Sequence, residues 1–239
     1  MKVFLLNSKG GVGKSYSAKI LSLKADKEQS KTYFIDCDNA SASTTKFFKG
    51  IEERKSPYIL FKSENLMGSD KKIDRTKFDT FLSTIEKLEN VCVDFGAASS
   101  EQVLFYMQEE FENGILDTLN DLGVTIFLVV AGGGSIKESI EFVLELKKIP
   151  GIEKIVRVIA NEYHGGVNGK SVQSYTNADI QINSLHKDIN SEAQREWNDL
   201  MNSGVVYSDI MAMTLIRKRR IVSYLDSIFT QIDAANEHA

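Results

Sequence analysis

The sequence predicts an α/β fold in which a single doubly wound, mostly parallel sheet is flanked by helices. Short runs of apolar, β-branched and aromatic residues alternate with longer segments that have a helical period. Most of the short runs are apolar at successive positions, as in strands that are covered on both faces. The chain has 239 residues, a length that suits one large α/β domain, so residues 1–239 are predicted to form a single domain.

The predicted strands are rich in valine, isoleucine, leucine and phenylalanine, which pack well on a pleated surface. In chain order they are "KVFLLN" (2–7), "KTYFID" (31–36), "YILFK" (58–62), "NVCVDF" (90–95), "VTIFLVV" (124–130) and "KIVRVIAN" (154–161). The run at 58–62 has the weakest pattern of the six. Because segments of helical length separate most of these strands, the connections favour parallel pairing.

The predicted helices follow the apolar period of 3.6 residues and cover 14–28, 74–89, 99–119, 135–148, 190–203 and 209–233. Pro150 and Gly151 end the fourth of them. The stretch "HGGVNGKS" (164–171) superficially resembles a phosphate-binding loop, but it lacks a glycine at 164 and no strong helical pattern follows it. We therefore predict a surface loop there.

Composition and charge argue against several classes of protein. The chain carries 29 basic and 33 acidic residues, for a net charge of −4, so any surface for nucleic acid must be a local patch. No apolar run approaches the roughly 18–20 residues that span a bilayer, and "MKVFLLNSKG" turns polar too early for a signal peptide. Cys37 and Cys92 lie inside apolar runs, which predicts buried, reduced thiols and a cytoplasmic protein.

The segment "SKGGVGKS" (8–15) lies between the first predicted strand and the first predicted helix. A helix N-terminus presents unpaired N–H groups and the positive end of the helix dipole, so it attracts an anion. Glycines in the loop let the backbone curl around a phosphate, while a lysine reaches the β- and γ-phosphates and a serine hydroxyl ligates Mg²⁺. The predicted nucleotide-binding residues are Gly10, Gly11, Val12, Gly13, Lys14, Ser15 and Tyr16.

Carboxylates follow two of the apolar strands. "YFIDCDN" supplies Asp36 and Asp38, and "VCVDFGAAS" supplies Asp94 followed by Gly96. Side chains at the carboxyl ends of parallel strands project beyond one edge of the sheet, where α/β proteins bind their ligands. A phosphoryl-transfer site needs carboxylates there to hold Mg²⁺ and to orient the attacking water.

The loop does not match the general pattern GxxxxGK[ST], because Ser8 replaces the first glycine, but it matches the variant KGGxGK[ST]. In this variant form the chain resembles the ParA/MinD family of deviant Walker A ATPases, which are P-loop NTPases of the SIMIBI type. The resemblance implies two subunits that face each other across two nucleotides. It also implies that Lys9 reaches the phosphates of the partner, while Lys14 serves the nucleotide of its own chain.

The resemblance extends from Lys2 to Asn161 and implies further roles. Asp38 would position the hydrolytic water, Asp36 would lie close to the metal, and Asp94 would hold Mg²⁺ through water. Asn161 would contact the adenine ring; a turn residue that ends the strand is the alternative for that position. The family often continues Asp-Pro-Gln where this chain has Asp38-Asn39-Ala40, so the resemblance does not fix the rate of hydrolysis.

The last third of the chain resembles the family only in length and helix content. Its most basic run is Arg217, Lys218, Arg219 and Arg220, which would contact DNA phosphates as in ParA-type relatives, with Arg157 and Arg195 joining them; the alternative is a solvated helix face. MinD-like relatives carry a terminal helix that lies on membranes. Here the chain ends in the acidic "DAANEHA", so we expect the last helix to pack into the core through Ile221, Val222, Leu225, Ile228, Phe229 and Ile232.

The family resemblance implies an ATP- and Mg²⁺-dependent dimerising ATPase, whose hydrolysis a protein partner stimulates. Its output would be plasmid or chromosome partition, or the positioning of another cargo. One alternative is a nucleotide-gated adaptor of conjugation or mobilisation that recruits a protein and binds no DNA. The other is a P-loop ligase or kinase for a small substrate. The absence of an Asn-Lys-x-Asp guanine motif favours ATP over GTP.

Overall fold

The computed structural model describes residues 1–38, 43–53, 56–162, 178–186 and 190–237. Its sheet has seven strands in the order β3-β2-β4-β1-β5-β6-β7, and every neighbouring pair is parallel. The strands are β1 (Lys2–Leu6), β2 (Thr32–Asp36), β3 (Ile59–Ser63), β4 (Val91–Asp94), β5 (Val124–Ala131), β6 (Val156–Asn161) and β7 (Ile180–Ile182). This sheet confirms the predicted α/β fold class.

Helices cover both faces of the sheet. Those in the described residues are α1 (Lys14–Lys27), α2 (Ser43–Glu53), α3 (Arg75–Glu86), α4 (Ala97–Glu109), α5 (Ile115–Asp121), α6 (Ile136–Leu146), α7 (Glu192–Asn202), α8 (Tyr207–Met211) and α9 (Leu215–Glu237). Helices α3 to α6 pack in one apolar layer, and α1, α2 and α7 to α9 pack in the other.

The central strand β1 shows why the chain needs both layers. Phe4 and Leu6 belong to the first apolar layer, Val3 and Leu5 belong to the second, and all four side chains are fully buried. Successive side chains of a strand point to opposite faces of its sheet. A run that is apolar at every position therefore has to be covered on both sides, as the sequence predicted.

Two predicted helices are each interrupted in the structure. The helix predicted over 99–119 is α4 followed by α5, and Gly114, immediately before α5, has φ +80°, a left-handed conformation that a continuous helix does not contain. The helix predicted over 209–233 is α8 followed by α9, with 212–214 between them. Helix α2 and strand β7 were not predicted.

The carboxyl-terminal helix α9 packs into the core, as expected. Ile221, Leu225 and Ile232 are each at most 6% exposed within the second apolar layer. The expectation that Arg157 joins the basic run at the start of α9 is wrong. Arg157 is buried, and its Nε donates a hydrogen bond of 3.0 Å to the carbonyl oxygen of Ala235, near the opposite end of that helix.

Both cysteines are buried and unbonded, in agreement with the prediction. None of the helices within the described ranges combines the length and the apolar character that crossing a bilayer requires. The loop predicted at 164–171 and the Asn39-Ala40 pair lie outside the described residues.

Lys19 is buried on α1, and within the described ranges no carboxylate is among its hydrogen-bond partners. Its Nζ lies 3.4 Å from Oδ1 of Asn202 and 5.1 Å from the centroid of the Phe47 ring. Burial lowers the pKa of Lys19 to about 8. The negative charge of Asp94 opposes this shift, and the positive charge of Lys46 adds to it. Because this pKa lies below that of the unfolded chain, the charged lysine destabilises the fold below about pH 8, and that penalty disappears as the pH rises toward the unfolded value.

We expect Lys19→Met to raise the free energy of unfolding at pH 7 by on the order of 1–3 kcal/mol, because it removes the buried charge. The gain should shrink by pH 10, and urea denaturation at both pH values measures it. Lys137→Met, at a lysine whose side chain is 83% exposed, is the control and should change little. An unchanged or lower stability of Lys19→Met at pH 7 would contradict the interpretation.

Candidate functional site

The glycine-rich loop joins the end of β1 to the start of α1, as the motif predicted. Gly11 and Gly13 have φ +77° and +105°, left-handed values that favour glycine. A methyl group added to Gly10 or Gly11 would meet no atom within 4 Å, so this part of the loop is an open cradle. The amide nitrogen of Ser17 donates to the carbonyl of Gly13 at 2.8 Å, which closes the first turn of α1 below that cradle.

Lys14 is held at the base of the loop by backbone carbonyls. It is 7% exposed, and its Nζ donates to the carbonyl oxygens of Asn7 and Lys9 at 2.8 and 3.2 Å. Burial lowers the pKa of Lys14, while Asp94 and Asp38 counteract that shift. A buried ammonium group with carbonyl partners, placed beside a helix N-terminus, favours an anionic ligand such as a phosphate.

Asn7 organises the base of the loop and was not predicted as a site residue. Its Nδ2 donates to the carbonyls of Val129 and Ser139 at 2.9 and 3.1 Å, and its Oδ1 accepts from the amide of Lys9 at 2.8 Å. The side chain is fully buried. The available signal was a polar residue that ends an apolar strand immediately before the glycines.

Asp94 lies at the carboxyl end of β4, beside Asp36 on β2, because the two are register partners in the parallel sheet. Its Oδ2 accepts a hydrogen bond of 2.7 Å from Thr44 on α2. Its Oδ1 is buried and accepts no hydrogen bond of normal geometry from the described residues. Burial raises the pKa of Asp94 to about 6, against the opposing effect of the Thr44 and Ser15 hydroxyls.

The unpaired Oδ1 of Asp94 and the neighbouring Ser15 hydroxyl fit a hydrated Mg²⁺, which prefers oxygen ligands and keeps several of its waters. Asp36 differs, because both of its oxygens are engaged. Oδ2 accepts from the Thr45 hydroxyl at 2.7 Å, and Oδ1 accepts from the amide of Asp38 at 2.9 Å. Burial raises the pKa of Asp36. Thr44 and Thr45, which orient these carboxylates, were missed because α2 was not predicted.

Asp38 lies against the start of α4. A methyl group added to Gly96 would lie 2.3 Å from Oδ1 of Asp38, so a larger residue at 96 would force the Asp38 side chain to move. The amide of Cys37 donates to the carbonyl of Asp94 at 2.9 Å, and the Ser99 hydroxyl donates to the carbonyl of Cys37 at 2.9 Å. Asp38 is thereby placed at the same sheet edge as Lys14 and Asp94.

Lys9 lies at the surface of the loop, and its side chain is 37% exposed. Its Nζ is 3.6 Å from Oε1 of Glu138 on α6. The pKa of the Glu138 carboxyl is lowered, first by a hydrogen bond from its own backbone amide and then by Lys9. The two lysines of the motif therefore differ in position: Lys14 is buried in the loop and Lys9 is at the surface.

Asn161 ends β6 and packs against the glycine-rich loop. Its Nδ2 donates to the carbonyl of Val12 at 2.8 Å, and a methyl group added to Gly13 would lie 2.1 Å from the same atom. The family resemblance assigned Asn161 to the adenine ring. That contact stays a prediction, and the structure adds a role in holding the loop.

Tyr16, the residue after Ser15, connects the loop to the carboxyl-terminal helices. Its Oη accepts a hydrogen bond of 2.8 Å from Nε1 of Trp197 on α7 and lies 3.2 Å from Oη of Tyr224 on α9. Tyr224 in turn donates to the carbonyl of Asn183 at 2.7 Å. The start of α1 is thus fixed to both helices by polar contacts.

The basic run lies on the first turns of α9, far along the sequence from the glycine-rich loop at 8–15. Arg217 pairs with Glu196 on α7 at 2.7 Å, and Arg219 and Arg220 are exposed. DNA contact by Arg217, Lys218, Arg219 and Arg220 stays a prediction.

Comparisons with known proteins agree with this geometry. A family model described as the CobQ/CobB/MinD/ParA nucleotide binding domain matches residues 3–209. No curated protein sequence matches the chain. The similar solved structures include the septum site-determining protein MinD of Pyrococcus horikoshii OT3 complexed with Mg-ADP, with a TM-score of 0.60, 13% identity, and coverage of 99% of this chain and 98% of that one.

Two further solved structures each give a TM-score of 0.56. One is the MinD cell division protein of Aquifex aeolicus, with 14% identity and coverage of 96% of this chain and 98% of that one. The other is a putative plasmid partition protein of Borrelia burgdorferi B31 bound to AMPPNP, with 13% identity and the same coverage of both chains. At these identities the likeness shows the shared fold.

We expect Asp94→Asn to stabilise the protein without nucleotide while removing the effect of Mg²⁺ on nucleotide binding. The amide oxygen still accepts from Thr44, but no buried negative charge remains, so the melting temperature should rise by about 2–6 °C. The additional rise that Mg²⁺ gives in the presence of ADP should be lost. Asp121→Asn, at an exposed aspartate on α5, is the control. A lower melting temperature, or a retained effect of Mg²⁺, would contradict the assignment.

Alanine substitutions at the three loop glycines separate backbone strain from steric contact. Gly10→Ala should be nearly neutral, Gly11→Ala should lose stability through its positive φ, and Gly13→Ala should lose most, because positive φ and the clash with Asn161 act together. For Gly13→Ala we expect a loss on the order of 1–3 kcal/mol, measured by urea unfolding without nucleotide. Equal losses at positions 10 and 13 would show that the loop geometry is wrong.

Proposed function

Since the chain belongs to the CobQ/CobB/MinD/ParA family of nucleotide-binding domains, we propose that it is an ATPase that dimerises with Mg²⁺-ATP bound and separates after hydrolysis. The observation that carries this proposal is the different placement of the two lysines. Lys14 is buried in the loop of its own chain, whereas Lys9 lies at the surface, where a second subunit has access to it.

The residues at the sheet edge have different roles in phosphoryl transfer. Lys14 and the backbone amides of the loop bind the β- and γ-phosphates. Ser15 and Asp94 would hold Mg²⁺, and the bound metal would supply positive charge next to the phosphates. Asp36, fixed by Thr45, orders the segment that carries Asp38, and Asp38 orients the attacking water.

Lys9 would complete the site of the partner. A cation supplied across an interface adds positive charge where negative charge develops, as an arginine finger does. To reach the partner's phosphates, Lys9 has to leave Glu138. That ion pair joins two partly exposed side chains at 3.6 Å, where solvent screens the attraction between them, so little free energy is needed to separate them. The pair therefore presents no large obstacle to dimerisation.

We further propose that the output is positional, in plasmid or chromosome partition or in the placement of another cargo, and that a protein partner stimulates hydrolysis in the cytoplasm. Similar folds include a plasmid partition protein and a MinC:MinD cell division protein complex from Aquifex aeolicus. Buried, unbonded cysteines suit a reducing compartment.

Two other functions make different predictions for the same site. An adaptor that recruits a protein would keep ATP-dependent dimerisation but retain no DNA through Arg217 to Arg220. A ligase or kinase for a small substrate would need an organic acceptor for turnover, and Lys9→Ala would then cause little loss. A ligase or kinase also leaves the second, exposed lysine of the loop without a role.

The molecular mass in solution, measured by light scattering with Mg²⁺-ATP and with Mg²⁺-ADP, tests the proposal. We expect a dimer with ATP, a monomer with ADP, and a monomer with either nucleotide for Lys9→Ala. Lys137→Ala, at an exposed lysine beside Glu138, is the matched control and should behave like the wild-type chain. A wild-type chain that stays monomeric while binding ATP, or an ATP-dependent dimer that survives Lys9→Ala, would refute the trans role of Lys9.

A further inference from the structure

The end of α8, residues 212–214 and the first turns of α9 lie at the surface of the protein. None of the residues 211–220 is buried. Three large apolar side chains in this stretch are exposed to solvent: Met211 at 48%, Leu215 at 57% and Ile216 at 75%. We call these three side chains the α9 apolar patch. Clustered exposed apolar side chains of this size mark interaction sites more often than isolated ones do.

A cavity of about 570 Å³ lies beside the patch, between α7 and α9. Its apolar lining comes from Leu185, Ala193, Trp197, Leu200, Met213 and Ile221. This volume lies in the range of sites that accept a compact organic group or several side chains. The apolar patch and the cavity together form a groove that nothing in the described part of the chain covers.

The charges around the groove have an asymmetric arrangement. On the α9 side, Arg219 and Arg220 are exposed and form no ion pair within the described ranges, and Arg220 lines the cavity. On the α7 side, Glu196 pairs with Arg217 at 2.7 Å, and Asp199 also lines the cavity. A ligand that is complementary to this groove therefore has carboxylates on the side that faces α9 and none on the side that faces α7.

We infer that this groove binds an amphipathic acidic peptide segment of a partner protein. One or two apolar side chains of the segment enter the cavity, and its carboxylates face Arg219 and Arg220. This is the helix-in-groove mode of recognition, in which apolar anchors supply affinity and charges supply orientation. The inference does not depend on ATP hydrolysis, because none of these residues lies in the phosphate loop.

The same observations argue against the two other polyanionic occupants. A DNA backbone gains affinity from the arginines but none from Leu215 and Ile216, and it has no apolar side chain that could fill the cavity. An anionic membrane accepts the apolar patch, but a planar bilayer does not fill a concave cavity between two helices. An amphipathic acidic peptide can contact the apolar patch, the cavity and the arginines at the same time.

The test is peptide display against the complete chain. A library of random peptides is selected on the wild-type protein, and the most enriched peptide is synthesised and titrated. Trp197 is the only tryptophan in the chain and lies buried in the wall of the cavity, so its fluorescence reports changes in the packing around the cavity. We expect enriched peptides to combine aspartate or glutamate with aromatic or aliphatic residues, and to change the emission of Trp197.

Two double variants at exposed positions separate the contributions. Leu215→Ser with Ile216→Ser and Arg219→Glu with Arg220→Glu should each weaken peptide binding by roughly tenfold or more. Lys147→Glu with Lys148→Glu, at the end of α6 in the opposite layer, is the charge-matched control and should bind as the wild-type chain does. Circular dichroism melting confirms that each variant folds.

Three results would overturn the inference. The first is selection of no peptide, or of peptides without acidic residues. The second is binding by both double variants that equals binding by the wild-type chain. The third is binding of duplex DNA, or of vesicles of phosphatidylglycerol, that depends on Leu215 and Ile216 while no acidic peptide binds.

Discussion

The site depends on two opposite charges that the fold buries at one sheet edge without pairing them directly. Lys14 is held by carbonyls, and one oxygen of Asp94 accepts no hydrogen bond of normal geometry from the described residues. Burial acts against the charged form of both groups. Such an arrangement lowers the stability of the empty protein, and a ligand that brings both an anion and a cation relieves it. A nucleotide with Mg²⁺, the ligand that we propose for this site, brings both charges.

Polar contacts connect this edge to the rest of the molecule. Asn7 and Asn161 hold the phosphate loop from below and from the side, while Tyr16 joins it to Trp197 and α9. A change in the loop therefore has a short physical route to the groove between α7 and α9. Trp197, which lies buried in the wall of the groove, is one hydrogen bond away from Tyr16 at the start of α1.

The sequence predicted those parts of the fold that depend on local patterns. The glycines of the loop, the apolar strands and the aspartates that follow them are encoded by residue type and spacing, so β1, α1, Asp36 and Asp94 lie where expected. Tertiary packing determined what was missed. Helix α2 contains Gly50, where a methyl group would lie 2.7 Å from the carbonyl of Ser203, so this helix is shaped by its neighbour rather than by helix propensity. With α2 missed, Thr44 and Thr45 were missed as well.

The central claim is that the buried charges of Lys14 and Asp94 form a binding site for a nucleotide together with its metal ion. Calorimetric titration of ATP into the wild-type chain, with Mg²⁺ and again with EDTA, tests it most directly. The account predicts measurable binding in both cases and roughly tenfold or greater tightening with Mg²⁺. Equal affinity with Mg²⁺ and with EDTA would show that Asp94 holds no metal, and no binding of ATP in either case would contradict the site itself.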